Sequence, residues 1–356
     1  MNKWKDRRKV FNKRSPGLFI AGLLLAVSQG AVAAPSPESL SFTHKDWDLV
    51  CDNTLTCRAV GYSADDVDPA VTVLITRTAG PSTPVTNLVM PGDYDGEAAT
   101  KTAGAPQLLI DKHSLGKLLA VDGDAWKMSE TQFTAFKQAL RRDSKISFKN
   151  NLHEYPFSGA GSSAVLLKMD DVQGRVGTTG ALIKQGSNSE SDVKMAVPQP
   201  VIVKAPVRDK KSRDMTPQET ALIKPALLDL VGKNSDCDDQ RLNETWQIAS
   251  LNEKQSLVIA PCWMAAYNFG DEYFVINNDM SSPPVLVTDS ATSYEDGIVG
   301  FFMKGRGLGD CLSLQEWAWD GERFVPSAAQ DTGRCRLIRP GGAWELPTLT
   351  TRVVTR

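Results

Sequence analysis

The stretch Lys304–Phe324, KGRGLGDCLSLQEWAWDGERF, gathers glycines, an arginine, a cysteine and two tryptophans into one short segment. A phosphate-cradling dinucleotide loop needs G-x-G-x-x-G followed by a helix. Here Asp310 stands where the third glycine belongs, and CLSLQEWAW alternates as a strand. The segment therefore predicts a tight turn feeding a β-hairpin with a two-residue turn at Asp320 and Gly321, which sets Trp317 opposite Phe324 and Trp319 opposite Glu322. Leu312 and Leu314 have the opposite parity, so either both faces are partly buried or a bulge is expected near Gln315. Tryptophans on a sheet either fill the core or offer a stacking platform. Arg306 at the tip, with Trp317 and Trp319, is retained as a candidate binding surface.

Other chemistries find less support. The histidines are His44, His113 and His153, with no two at ligand spacing, and His153–Glu154 lacks the second histidine of a zinc-protease helix. Asp93, Asp95 and Glu97 in DYDGE supply half of a calcium loop without its remaining ligands, and read as a solvated turn. Ser114–Lys117, SLGK, fits S-x-x-K, but Gly116 spoils the helix that the motif requires, and KTAG precedes it with an extra residue. Paired carboxylates of a glycan hydrolase come from separate strands and leave no local signature. Asp271, Glu272, Asp310 and Glu316 neighbour aromatics and are candidates only in that sense. No metal or cofactor is expected.

The elements that position these residues lie in an exported chain. A basic N-terminus, the apolar run Leu18–Val27 and the small residues Ala31 and Ala33 form a secretory signal peptide over 1–33. RRKVF fits the twin-arginine export pattern only loosely, and the apolar core favours general secretion. The leader carries seven basic residues and one acidic one, so its removal takes the formal charge from −2 to −8. An acidic chain disfavours nucleic acid as a partner, and no membrane insertion is expected once the leader is cut. The style of the leader suggests a bacterium, and the periplasm or medium. Six cysteines follow the leader, an even number that reads as disulfides. Six cysteines allow fifteen pairings, and the sequence alone does not choose among them. Cys51–Cys57 is read as a cross-strand bridge. For the last four, Cys237–Cys262 and Cys311–Cys335, which stay within one domain and close loops of moderate length, are the expected pairs.

The pattern along the chain predicts a mainly β protein with a few helices, of α+β class: two β-sandwich or barrel-like domains, stapled by disulfides and joined by a Pro/Ser/charge-rich linker. The N-terminal domain spans 40–186, the linker 187–214 and the C-terminal domain 215–356; within the linker an edge strand at VIVK, flanked by prolines, is the alternative. In DWDLVCDNTLTCRAVGY a hairpin sets Cys51 against Cys57, with Trp47, Leu49, Ala59 and Gly61 on one buried face. Strands are also expected at AVTVLITR, TNLVM, QLLID and SSAVLLKM. Ser129 and Gln132 make a capping box for a helix carrying Phe133, Phe136 and Leu140. The second half opens with a helix capped by Thr216, Pro217 and Glu219, which Pro225 kinks or ends. Eight strands follow, the last at CRLIRP.

With DWDLVCDNTLTC, LAVDGDAWKMS, LLKMDDVQGRVGTTGALI, APCWMAAYN, GLGDC, WAWDGERF and CRLIRPGGAWELPTLTTR in view, the chain resembles the exported bacterial family called domain of unknown function 1176. The N-terminal half, with its tryptophan before a close cysteine pair, is also similar to the invasion-associated locus B proteins. Leu312 and Leu337 depart from the family pattern, where glycine is expected. The first resemblance implies an exported, disulfide-bonded chain and carries no activity, catalytic residue or cofactor. The functional expectation is a non-catalytic periplasmic binding or interaction protein whose partner is an envelope protein or glycan. The alternatives are an envelope glycan hydrolase with an acidic pair and an inhibitor-type protein.

Overall fold

The computed structural model describes residues 39–92, 94, 103–121, 124–142, 144–231 and 237–355. The signal peptide and the acids of DYDGE lie outside them. The protein is mainly β with a few helices, and every sheet is open rather than closed into a barrel.

The first half is built on a seven-stranded antiparallel sheet whose leading strands are Leu40–His44, Trp47–Cys51, Cys57–Tyr62, Val71–Arg77 and Val85–Pro91. The hairpin register is the one that alternation dictates: Trp47 faces Gly61, Leu49 faces Ala59 and Cys51 faces Cys57. The disulfide joins that last pair. Gly61 is required there, since a Cβ would stand 2.5 Å from the Trp47 ring. On this face the sheet packs against the helices Glu130–Leu140 and Ser162–Val172 and a four-stranded sheet, around Phe136, Phe148, Val165 and Met169. Ser129 and Gln132 form the expected capping box.

SSAVLLKM is a helix, not the strand its apolar run suggested. Val165, Leu166 and Met169 recur at helical spacing and are all buried against the sheet. The opposite face of the sheet is also buried, which hairpin alternation alone does not show. Val60, Tyr62, Leu74 and Met90 pack against Ile338, Ala343, Trp344 and Leu346 from the far end of the chain. Trp344 donates its indole N–H to the Thr72 hydroxyl, itself buried, at 3.0 Å.

The second half carries two five-stranded sheets. One runs through Arg213–Asp214, Gln247–Ser250, Gln255–Met264, Phe269–Asn277 and Val285–Ala291; the other through Ser293–Glu295, Ile298–Lys304, Leu312–Trp319, Phe324–Asp331 and Leu346–Thr350. Leu257, Ile259, Tyr273 and Val275 of the first meet Val299, Trp319 and Phe324 of the second in a shared core. The first sheet is covered on its outer face by Ile223 and Leu227 of the helix Pro217–Leu228. Burial on both faces explains the unbroken apolar run SLVIA. Thr216 and Glu219 cap the helix, which continues through Pro225 to Leu228.

Two further segments differ from expectation. CRLIRP is irregular: Leu337 sits at φ 53°, in the left-handed region, and donates its N–H to Asp310 at 2.8 Å. That conformation favours glycine, which accounts for glycine being the residue expected there. Strands at Leu346–Thr350 and Arg352–Thr355 were not expected. Within 187–214, Val201–Lys204 pairs in parallel with Arg352–Thr355, and the stretch before it is anchored by Glu190. Glu190 accepts from Arg175 at 2.8 Å and from the Ser82 N–H at 2.5 Å. Arg175 is fully buried and also donates to the Gly80 carbonyl and the Thr83 hydroxyl.

Candidate functional site

The three residues proposed from sequence as a binding surface fall into different environments. Trp319 is 1% exposed and packs on Phe324 with ring centroids 5.3 Å apart, so it is a core residue. The hairpin turn is longer than expected: Asp320 through Arg323 form it, and Asp320 accepts from the Glu322 and Arg323 N–H groups at 2.8 and 2.9 Å. This shifts the pairing, so that Trp319 faces Phe324 and Trp317 faces Pro326. The expected bulge is present between Glu316 and Trp317.

Arg306 is committed to its own loop. It donates to Asp310 at 2.7 Å through Nε and 2.5 Å through a terminal nitrogen. The Asp310 carboxylate is fully buried. Burial alone would push its carboxyl up, but Arg306 and the Leu337 N–H outweigh it and hold it below the usual carboxylate range. Gly305 leaves room for the disulfide, since a Cβ there would meet the Cys311 sulfur at 2.6 Å. The glycines of KGRGLGDC thus close a loop around a buried charge pair and the Cys311–Cys335 bridge.

That loop borders a cleft of about 420 Å³ between the two halves, lined by Ser41, Thr43 and Asp48 on one side and by Cys311, Ser313, Asp331 and Arg334 on the other. Its polar groups largely satisfy each other. Arg334 donates to both Asp48 oxygens at 2.8 Å, Thr43 donates to Asp48 at 2.8 Å, and Ser313 donates to Asp331 at 2.5 Å. Burial works against the Arg334 charge, yet Asp48 holds its pKa above the usual value. This is a seam that locks two halves together.

Trp317 is different. It is half-buried and lines a cavity of about 270 Å³ at the open end of the core between the two five-stranded sheets. Val275, Val285, Phe324 and Pro326 supply apolar walls, and Gln255, Asn277, Glu322 and Arg323 the polar lining. Among the described residues, the Glu322 carboxylate and the Asn277 side-chain carbonyl accept no hydrogen bond from the fold. Arg323 has only a distant contact of 3.9 Å to Asp320. Glu322 is the single carboxylate lining this cavity. Position 317 and the nearby Glu322 and Arg323 were within the stretch singled out from sequence; the rest of the rim was not legible, since Asn277 and Gln255 lie on strands far along the chain.

The acids considered for hydrolysis fall into different environments. Asp310 holds Arg306, Asp271 accepts from Arg241 at 3.2 Å, Glu316 is exposed and Glu272 is buried. Burial pushes the Asp271 carboxyl up despite Arg241. Ser114 lies on an exposed strand and donates to Gln107, not at a helix start. Two clusters among the described residues have metal-ligand geometry, Cys237–Cys262–Glu272 and Asp310–Cys311–Cys335, but their sulfurs are joined in disulfides. All three pairings expected from sequence are formed, and no cysteine is free.

Residues 41–351 match the family model described as protein of unknown function DUF1176. The chain is 26% identical over 347 residues to the uncharacterized protein YpfG of Escherichia coli strain K12, with 89% of this chain and 93% of that relative covered. No solved structure matches it.

Proposed function

We propose that this chain, which belongs to the DUF1176 family of unknown function, is an exported binding protein of the bacterial envelope that carries out no catalysis and takes a ligand in the Trp317 cavity. Export rests on the leader over 1–33 and on cysteines that are all paired. No helix among the described residues is long and apolar enough to cross a membrane. Residues 1–33 act as a cleaved signal peptide, and the remainder works in the periplasm or medium. The likeness of the first half to invasion-associated locus B proteins belongs to this reading, as does its division into domains at 40–186 and 215–356.

One observation carries the binding role: around Trp317, an apolar wall meets a rim on which, among the described residues, the exposed Glu322 carboxylate and the Asn277 side-chain carbonyl accept no hydrogen bond from the fold. A ligand site needs such groups, because they fix orientation where the apolar wall supplies affinity. Hydrolysis of glycan would need two carboxylates about 5 to 9.5 Å apart, and this cavity has one. The cleft between the halves does hold two, Asp48 and Asp331, which keeps a hydrolase as the second reading. Both Asp48 oxygens are nevertheless taken by Arg334.

The test pairs fractionation with turnover. The binding reading expects the chain in the periplasmic fraction, starting after Ala33, and no product from a labelled wall fragment. Release of product that stops in Asp48→Asn and Asp331→Asn variants would establish the hydrolase instead.

A further inference from the structure

We infer that the Trp317 cavity takes one saccharide ring of a glycan, stacked by its C–H face on the indole and held at its edge by Glu322, Arg323 and Asn277. This rests on the reading of that cavity as the ligand site, and adds the class of ligand. Size is the first argument. About 270 Å³ lies just under the roughly 300 Å³ at which sites for drug-sized molecules begin, so the cavity encloses one ring with its substituents and the remaining rings of a glycan extend past its mouth.

Chemistry is the second. A hexose presents an apolar patch of C–H groups on one face and hydroxyls around its edge, each both donor and acceptor. The cavity repeats this division. Trp317 and Pro326 form an apolar platform, while Glu322 offers carboxylate oxygens, Asn277 a carbonyl and Arg323 its guanidinium. Carboxylate and guanidinium partners make the stronger, charge-assisted hydrogen bonds.

The main competitor is a prolyl or aliphatic side chain of an extended peptide, which aromatic grooves also accept. Such a side chain stacks on Trp317 equally well but brings no hydroxyls to Glu322 and Asn277. It would shield them from water without replacing the hydrogen bonds lost. The rim therefore selects the hydroxylated ring.

The scaffold is preorganised for this. The turn that carries Glu322 and Arg323 is fixed by Asp320, and Gln255 reaches the Glu322 carbonyl at 3.5 Å. Asn277 is held through its amide by Ser282 at 2.8 Å, which leaves its carbonyl free to accept.

The test uses the full exported chain, labelled with ¹⁵N, with Trp317→Phe used to assign the Trp317 indole signal. The chain is titrated separately with a trimer of N-acetylglucosamine and with a proline-rich decapeptide. The trimer is expected to shift the Trp317 indole signal. Trp317→Ala should weaken that binding about tenfold, as loss of an aromatic stacking surface implies, and Trp317→Phe much less. Glu322→Gln should weaken it severalfold with an unchanged melting temperature. A shift with the peptide and none with the trimer overturns the saccharide assignment and leaves the site standing. No shift with either probe overturns both.

Discussion

Two concavities of similar lining chemistry differ in what their polar groups are doing. In the cleft between the halves, Asp48, Thr43, Arg334, Ser313 and Asp331 bond to one another. In the cavity beside Trp317, the Glu322 carboxylate and the Asn277 carbonyl accept no hydrogen bond from the described residues. The first is the larger, at about 420 Å³ against 270 Å³, yet size does not make it the ligand site. Polar groups that satisfy each other hold a structure together; groups left open at an apolar wall receive something else. Mutations should therefore lower stability at the seam and binding at the cavity, with little crossover.

The largest effect is expected from the bridge that fixes the seam's loop. Replacing Cys311 and Cys335 with serine should lower unfolding free energy by on the order of 3 kcal/mol, since the bridge closes a loop of 24 residues. Urea unfolding would measure it. Arg334→Ala should cost about 2 kcal/mol, between the values for exposed and buried ion pairs, because both partners are partly exposed. Glu322→Gln, at an exposed side chain of the cavity rim, should cost clearly less in the same assay, and a loss matching that of Arg334→Ala would make the rim a structural seam as well.

Acid provides a third way to sharpen the contrast. Asp310 has a folded pKa below its ordinary value, so its charge stabilises the fold above about pH 4 and that stability is lost as pH falls through the folded value. Wild type should exceed Asp310→Asn in urea midpoint near neutrality, with the two converging in stronger acid. A gap that stays constant with pH would mean that the Asp310 charge is not what holds the loop. The smallest effect is expected at Leu337, whose left-handed backbone suits glycine. Leu337→Gly should gain about 0.5 to 1 kcal/mol from relief of that backbone, reduced by the glycine's greater freedom when unfolded.

Much of the fold was legible because its signals were local. Alternation set Cys51 against Cys57, and the capping boxes at Ser129 and Thr216 marked their helices. What escaped depended on distant partners. Ser162–Val172 reads as a strand until a sheet is available to bury one helical face. The Trp317 and Trp319 pairings turned on the length of one turn, where Asp320 captures two N–H groups and shifts the register by two residues. Arg175 gave no signal at all, since Gly80 and Thr83 lie over ninety residues away. Arg306 looked like an exposed tip although its partner Asp310 is only four residues on. That Asp310, which looked like a missing glycine, is buried depends on the distant Leu337 N–H and the Cys311–Cys335 bridge beside it.

The central claim is that the Trp317 cavity, and not the cleft at Arg334, receives the ligand. Its most direct measurement is a map of backbone and indole shifts in the ¹⁵N-labelled chain on addition of a soluble envelope extract. The account predicts shifts centred on Trp317, Asn277, Glu322 and Arg323, with Asp48, Ser313 and Arg334 unmoved. Shifts centred on Asp48 and Arg334 with Trp317 unchanged would contradict it.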